Sequence, residues 1–166
     1  MEADKEALVR EMKAYFGDDS RRIDHAGQVT AYAEQLLEKE AGDYSIVIGA
    51  AVLHDIGIPL AEKKYGNAGA RHQEKEGPPV ARKILTGLGF DEEQVEEICE
   101  IIGNHHSPGK IDTTNFKILY DADWLVNMRQ AYNIADKKNL VKAIERVFLT
   151  GTGRALATEI YIPYNE

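Results

Sequence analysis

Cysteine is nearly absent from this chain: Cys99 stands alone among 166 residues. A single thiol excludes a disulfide framework and a cysteine-rich zinc site. Its place between Ile98 and Ile101 suits a small core residue. Also missing is any apolar run that approaches the length of a membrane span. The opening residues, MEADKEALVREMK, lack a signal peptide's apolar stretch, so a cytoplasmic protein is the expectation. Positive charge is in deficit, with 20 Lys and Arg against 28 Asp and Glu and a formal net charge of −8. That balance argues against non-specific nucleic-acid binding and against anionic membrane surfaces. It leaves room for one small phosphorylated substrate, because a bound metal inverts the local field. Repeats, low-complexity tracts and strand-like alternation of any length are missing too.

What the chain does contain is helical periodicity. Leu8, Met12 and Phe16 recur at steps of four in the first segment. Ile23, Ala26, Val29, Ala33, Leu36 and Leu37 form the stripe of the second. Residues 46–56 are apolar nearly all round, which predicts a central buried helix, with Gly57 as a left-handed cap and Pro59 preventing continuation. Residues 60–77 are polar and contain glycine, so a loop with short turns is expected, followed by a helix that Pro78 and Pro79 open. Asp91 with Gln94 resembles a capping box. Val95, Ile98, Cys99 and Ile102 then face inward. A further helix is expected from about Asn115 to Arg129, and short ones over 140–149 and 154–161. An all-α single domain follows, and 166 residues suffice for its core.

The five histidines are His25, His54, His72, His105 and His106. His25 lies on the inner face of the second helix, and His54 ends the central one. His105 and His106 extend the buried face beyond Ile102. His72 falls in the expected loop. Asp55 adjoins His54. Asp121 and Asp123 both border the stripe of the later helix, and periodicity alone does not choose between them. A lone histidine on an apolar face is usually a satisfied core residue. Several imidazoles and carboxylates aimed inward, without comparable inward Lys or Arg, instead ask for a cation. His plus Asp without Cys suits a divalent transition metal or magnesium.

His25 in RRIDHAGQV, His54 and Asp55 in AAVLHDIG, and Asp123 in DADWL, taken in order, resemble the HD superfamily of metal-dependent phosphohydrolases. The likeness runs over about 21–126, and the ADWL segment selects Asp123 over Asp121. It implies one HD-type helical bundle of about six to eight helices over 1–166, with C-terminal helices at 138–162. It implies His25, His54, Asp55 and Asp123 as metal ligands. Branches with extra histidines hold a second metal, and His72 in RHQEKEGPP with His105 and His106 in IIGNHHSPG resemble that set. The cofactor is then two divalent ions drawn from Fe, Mn, Co, Mg or Zn. Ile58 stands where the family often has lysine, and the GYP of the cyclic-dinucleotide branch is absent after His106.

The activity so implied is hydrolysis of a phosphoester or phosphoanhydride in a nucleotide or another small phosphorylated metabolite. A metal-activated water is the nucleophile, and Asp55 is the catalytic carboxylate. Lys63, Lys64, Arg71 and Lys110 are near the ligands in sequence and are candidate phosphate contacts. Two alternatives exist on the same scaffold, a di-iron oxygenase and a non-catalytic nucleotide sensor. No nucleic-acid or membrane partner is expected, and a homodimer stays open.

Overall fold

The computed structural model describes residues 2–163, with side chains from Asp4 onward. Nine helices and no strand occur among the described residues, one helix more than the upper expectation. They are α1 (Glu2–Phe16), α2 (Ser20–Leu37), α3 (Tyr44–Leu53), α4 (Ile58–Tyr65), α5 (Ala70–Gly87), α6 (Glu92–Ile102), α7 (Thr114–Ala131), α8 (Lys137–Val147) and α9 (Gly151–Tyr161).

Local chemistry starts most of them. Asp19, Asp43, Thr113, Asp136 and Thr150 each accept from the backbone N–H three residues on, which satisfies a donor that the first turn leaves free. Asp91 and Gln94 complete the expected capping box at α6. α3 is buried at every residue from Ile46 to Leu53 and forms the axis of the molecule, with α1, α2, α6 and α7 against it. Gly49 admits α6: a Cβ there would lie 2.7 Å from Ile98 Cδ1. One hydrophobic cluster runs from Leu8 to Tyr161 and takes in Cys99 as a buried core residue.

The segment after α3 departs from expectation. α3 ends at Leu53, and 54–57 form a tight turn. Gly57 is not a left-handed cap: its φ is −79°. Glycine serves there because α5 crosses close by, and a Cβ would meet Gly77 N at 2.5 Å and Gln73 O at 2.7 Å. The expected loop over 60–77 is instead α4, a short bend and the first half of α5, with Pro78 and Pro79 inside the helix. Prolines remove helix hydrogen bonds. Packing against the 54–57 turn, against Ile102 (2.9 Å from a Cβ on Gly77) and against Gly103 holds α5 together across them. The stretch Tyr44–Tyr65 reaches a mean hydropathy of 1.6 over a span-length window, contrary to the expectation that none would. The 54–57 turn interrupts it, and 72% of the window is buried as core.

Candidate metal centre

The His54–Asp55 pair occupies the turn where α3 stops. His54 donates from Nδ1 to Ala51 O at 2.8 Å, three residues back. A carbonyl only accepts, so that bond places the proton on Nδ1 and directs Nε2 away from the helix. α2 and α7 pack on α3 and bring two more groups to the same point. His25 Nε2 is 3.3 Å from His54 Nε2, 3.1 Å from Asp123 Oδ1 and 3.5 Å from Asp55 Oδ2. His54 Nε2 is 3.3 Å from Asp55 Oδ2 and 3.4 Å from Asp123 Oδ1. Donor atoms around one ion with bonds of about 2.1 Å stand about 3.0–3.4 Å apart. His25, His54 and Asp55 are spaced as donors around one cation, and Asp123 Oδ1 lies against both imidazole nitrogens beside them.

A second group shares Asp55. His105 donates from Nδ1 to Ile102 O at 2.6 Å, repeating the His54 arrangement at the end of α6. Its Nε2 is buried, has no hydrogen-bond partner, and faces Asp55 Oδ1 at 3.5 Å. A buried lone pair beside a carboxylate oxygen is unfavourable unless a proton or a cation lies between them. His106 packs on His105 with ring centroids 4.0 Å apart, and a ring nitrogen of it completes a three-residue group with Asp55 and His105. The two Asp55 oxygens thus face different histidines. Both histidines lie in the turn beyond α6 rather than on it, with His105 buried and His106 exposed.

Electrostatics agree with the geometry. Burial works against charge on His54, but the Asp55 and Asp123 carboxylates outweigh it and hold the imidazole well above the usual histidine range. Burial likewise works against charge on Asp55 and Asp123. His54 leads the groups that hold both well below the usual carboxylate range, with His105 adding to Asp55 and His25 to Asp123. Partial burial of the ring and then His105 push the His106 imidazole down. Without an ion, a proton on His54 balances the charge of the two carboxylates.

His72 is not brought to either group. Its ring stacks on Tyr65 with centroids 3.9 Å apart, and its Nδ1 lies 3.1 Å from Asn67 Oδ1. The early start of α5 accounts for this, because it sets His72 in the first turn beside the end of α4. The neighbouring Gln73 and Glu74 do reach the site: His106 donates from Nε2 to Gln73 Oε1 at 3.0 Å, and the His106 backbone N–H donates to Glu74 Oε2 at 3.1 Å. The four cations expected near phosphate do not line the cavity at the cluster. Lys63, Arg71 and Lys110 are exposed, and Lys64 donates to the buried Glu76 at 2.8 Å. Arg21 and Arg22 line it instead, with Asn127 and Gln130 opposite. Helical spacing from His25 and from Asp123 is the signal that could have found them. Asp121 lies outside the cluster, as the ADWL segment implied.

The HD domain family model matches residues 22–128. A crystal structure described as a predicted HD superfamily hydrolase, from an uncultured Thermotogales bacterium, superposes with a TM-score of 0.69 at 29% identity. The match covers 93% of this chain and 83% of that one. An uncharacterized protein, L432 of Acanthamoeba polyphaga mimivirus, is 34% identical over 95 residues, which are 55% of this chain. The match spans only 37% of the length of that viral protein. The matched segment holds every residue of both histidine–aspartate groups and Asp123 beside them, and the chain belongs to the HD domain family.

Proposed function

We propose that the chain is a metal-dependent phosphohydrolase that cleaves a phosphoester or phosphoanhydride of a nucleotide or another small phosphorylated metabolite. The observation that carries this reading is the convergence of His25, His54 and Asp55 on one point, with Asp123 against both imidazoles, at the floor of a 290 Å³ cavity that two arginines also line. His25, His54, Asp55 and Asp123 are the proposed ligands of one ion. Asp55, His105 and His106 are those of a second. The chemistry such ions supply is a water acidic enough to attack near neutral pH and positive charge for the phosphoryl oxygens.

The side chains of the protein do the rest. Ala51 O and Ile102 O hold the His54 and His105 rings in the tautomer that presents Nε2. Asn127 donates from Nδ2 to Asp123 Oδ1 at 3.0 Å and fixes that carboxylate. Asp55 belongs to both groups and is our choice for orienting the attacking water. Arg22 and Arg21 pair with phosphoryl oxygens, a role better served by guanidinium forks than by the exposed lysines.

The test is phosphate release from a panel of phosphoesters by protein stripped with chelator and reloaded with Mn, Co, Fe, Mg or Zn. Metal-dependent release that proceeds without oxygen is expected. No release with any metal, or turnover that consumes oxygen without freeing phosphate, would overturn the reading.

A further inference from the structure

The cavity has two polar walls, and each continues a helix face that starts at a proposed ligand. On α2, Arg22 and Arg21 stand three and four residues before His25. On α7, Asn127 and Gln130 stand four and seven residues after Asp123. Residues at these spacings share one helix face. All of them line the same 290 Å³ space.

The lining is unusual in what it omits. Among the described residues Ile58 is its one aliphatic side chain, and no Phe, Tyr or Trp lines it. Sites for organic ligands are mostly apolar and span about 300–1,000 Å³. Nucleobases are commonly held by stacking on aromatic rings. This cavity is small and presents no such platform, since its two imidazoles belong to the cluster.

What it does present is spare hydrogen-bonding capacity. Asn127 spends one N–H on Asp123 and keeps its amide oxygen. The Gln130 side chain is exposed and makes no hydrogen bond among the described residues. Gln73, by contrast, is committed, since it donates to Ala68 O at 2.6 Å and accepts from His106 at 3.0 Å. Arg22 Nε is buried without a hydrogen-bond partner, and the nearest guanidinium–carboxylate distances of that side chain are 3.4 Å to Asp19 and 3.7 Å to Glu62. Arg22 is shared with Asp19 and Glu62, so Arg21 and the proposed divalent ions supply the positive charge of the cavity against Asp55 and Asp123. That charge suits the dianion of a phosphomonoester better than the single charge of a diester.

We infer that the substrate is the phosphomonoester of a small hydroxylated alcohol, of polyol or sugar size, and not a nucleotide. The phosphate lies against the cluster and Arg22, and the alcohol's hydroxyls lie against Asn127 and Gln130. The inference rests on the phosphohydrolase reading. In the reaction, the water oxygen forms the new P–O bond and the ester P–O bond breaks. One water proton passes to the departing alkoxide, giving the free alcohol and hydrogen phosphate.

The experiment compares glycerol 3-phosphate and pentose and hexose phosphates with nucleoside 5′-monophosphates, using manganese-loaded protein and phosphate release. The best polyol or sugar phosphate is expected to exceed every nucleotide in kcat/KM by about tenfold or more. A nucleotide that equals or exceeds it overturns the inference. Gln130→Leu is expected to shrink that preference by about threefold to tenfold, and an unchanged preference overturns the assignment of the hydroxyls to α7. If no ester is cleaved, the phosphohydrolase reading fails on its own account. Calorimetric titration of the manganese-loaded protein with glycerol 3-phosphate and with adenosine monophosphate then decides the ligand class. Tighter binding of the glycerol ester supports the inference, while tighter or equal binding of the nucleotide, or binding of neither, overturns it.

Discussion

Asp121 and Asp123 stand two residues apart on α7, and both are buried, yet their surroundings differ completely. Asp121 accepts from Leu149 N at 2.8 Å, from Thr150 N at 2.9 Å and from Thr150 Oγ1 at 2.7 Å. Burial still pushes its carboxyl above the usual range, with these bonds opposing the rise. Its oxygens are saturated with donors, and it closes the α8–α9 turn onto α7. A Cβ on Gly153 would collide with its carboxylate. Asp123 meets two imidazoles, one amide donor and the nearby Asp55, and lies well below the usual range. One carboxylate is satisfied by backbone and hydroxyl donors, and the other is the proposed partner of a cation. A buried acid thus becomes a structural tie or a ligand according to whether N–H and O–H donors or lone pairs face it.

Substitutions can break this comparison at either residue. Asp123→Ala should lower metal-dependent turnover by about a thousandfold or more and abolish metal retention, while metal-free stability changes by about 1 kcal/mol or less. Turnover and elemental analysis check the first part, and urea unfolding in chelator checks the second. Asp55→Ala should behave the same way, with most helix content retained by circular dichroism. Asp121→Ala should do the reverse. It strands three buried donors, so stability should fall by about 3 kcal/mol and Tm by on the order of 10 °C, with metal content per folded chain unchanged. Loss of metal from folded Asp121→Ala would remove the distinction.

Metal stoichiometry sharpens the picture further. With iron or manganese in excess the parent should bind about two ions per chain, and His105→Ala and His106→Ala about one. One ion in all three proteins would make these histidines packing or substrate contacts. The smallest effect concerns pH. The His54 proton held by Asp55 and Asp123 stabilises metal-free protein fully below the unfolded histidine pKa of about 6.5. Because the folded pKa is raised, that contribution declines as pH rises through it. Metal-free protein should therefore lose Tm as pH rises above about 6.5, relative to His54→Gln. Metal-loaded protein should show no such loss, because the cation replaces the proton. Parallel Tm curves for metal-free parent and variant would contradict the shared proton.

Neighbouring residues settled what could be read early. The Asp91–Gln94 box spans three positions, so its chemistry is complete within the chain and was readable there. The all-round apolar character of 46–56 likewise marked a central helix, which ends at Leu53, and the ordered His25, His54–Asp55 and Asp123 marked a site. Periodicity failed between Asp121 and Asp123 because α7 is buried on nearly every side, and residues two apart point about 200° from each other, each into a different interior. It failed at 60–77 because proline and glycine signals argued for a loop, whereas the crossing of Gly57 and Gly77 backbones, twenty residues apart, rewards a helix. The same helix sets His72 in the first turn of α5, stacked on Tyr65 and away from both groups.

The amino-acid sequence by itself determined the helical class, most helix starts and the donor chemistry of the cluster, since each depends on residue type and spacing within a turn or two. Only the tertiary structure decided which donors converge, that Asp55 is shared, and that Arg21, Arg22, Asn127 and Gln130 wall the cavity. Those relations join α2, α3, α6 and α7 across as many as 98 residues of chain, where packing and not local propensity sets the distances.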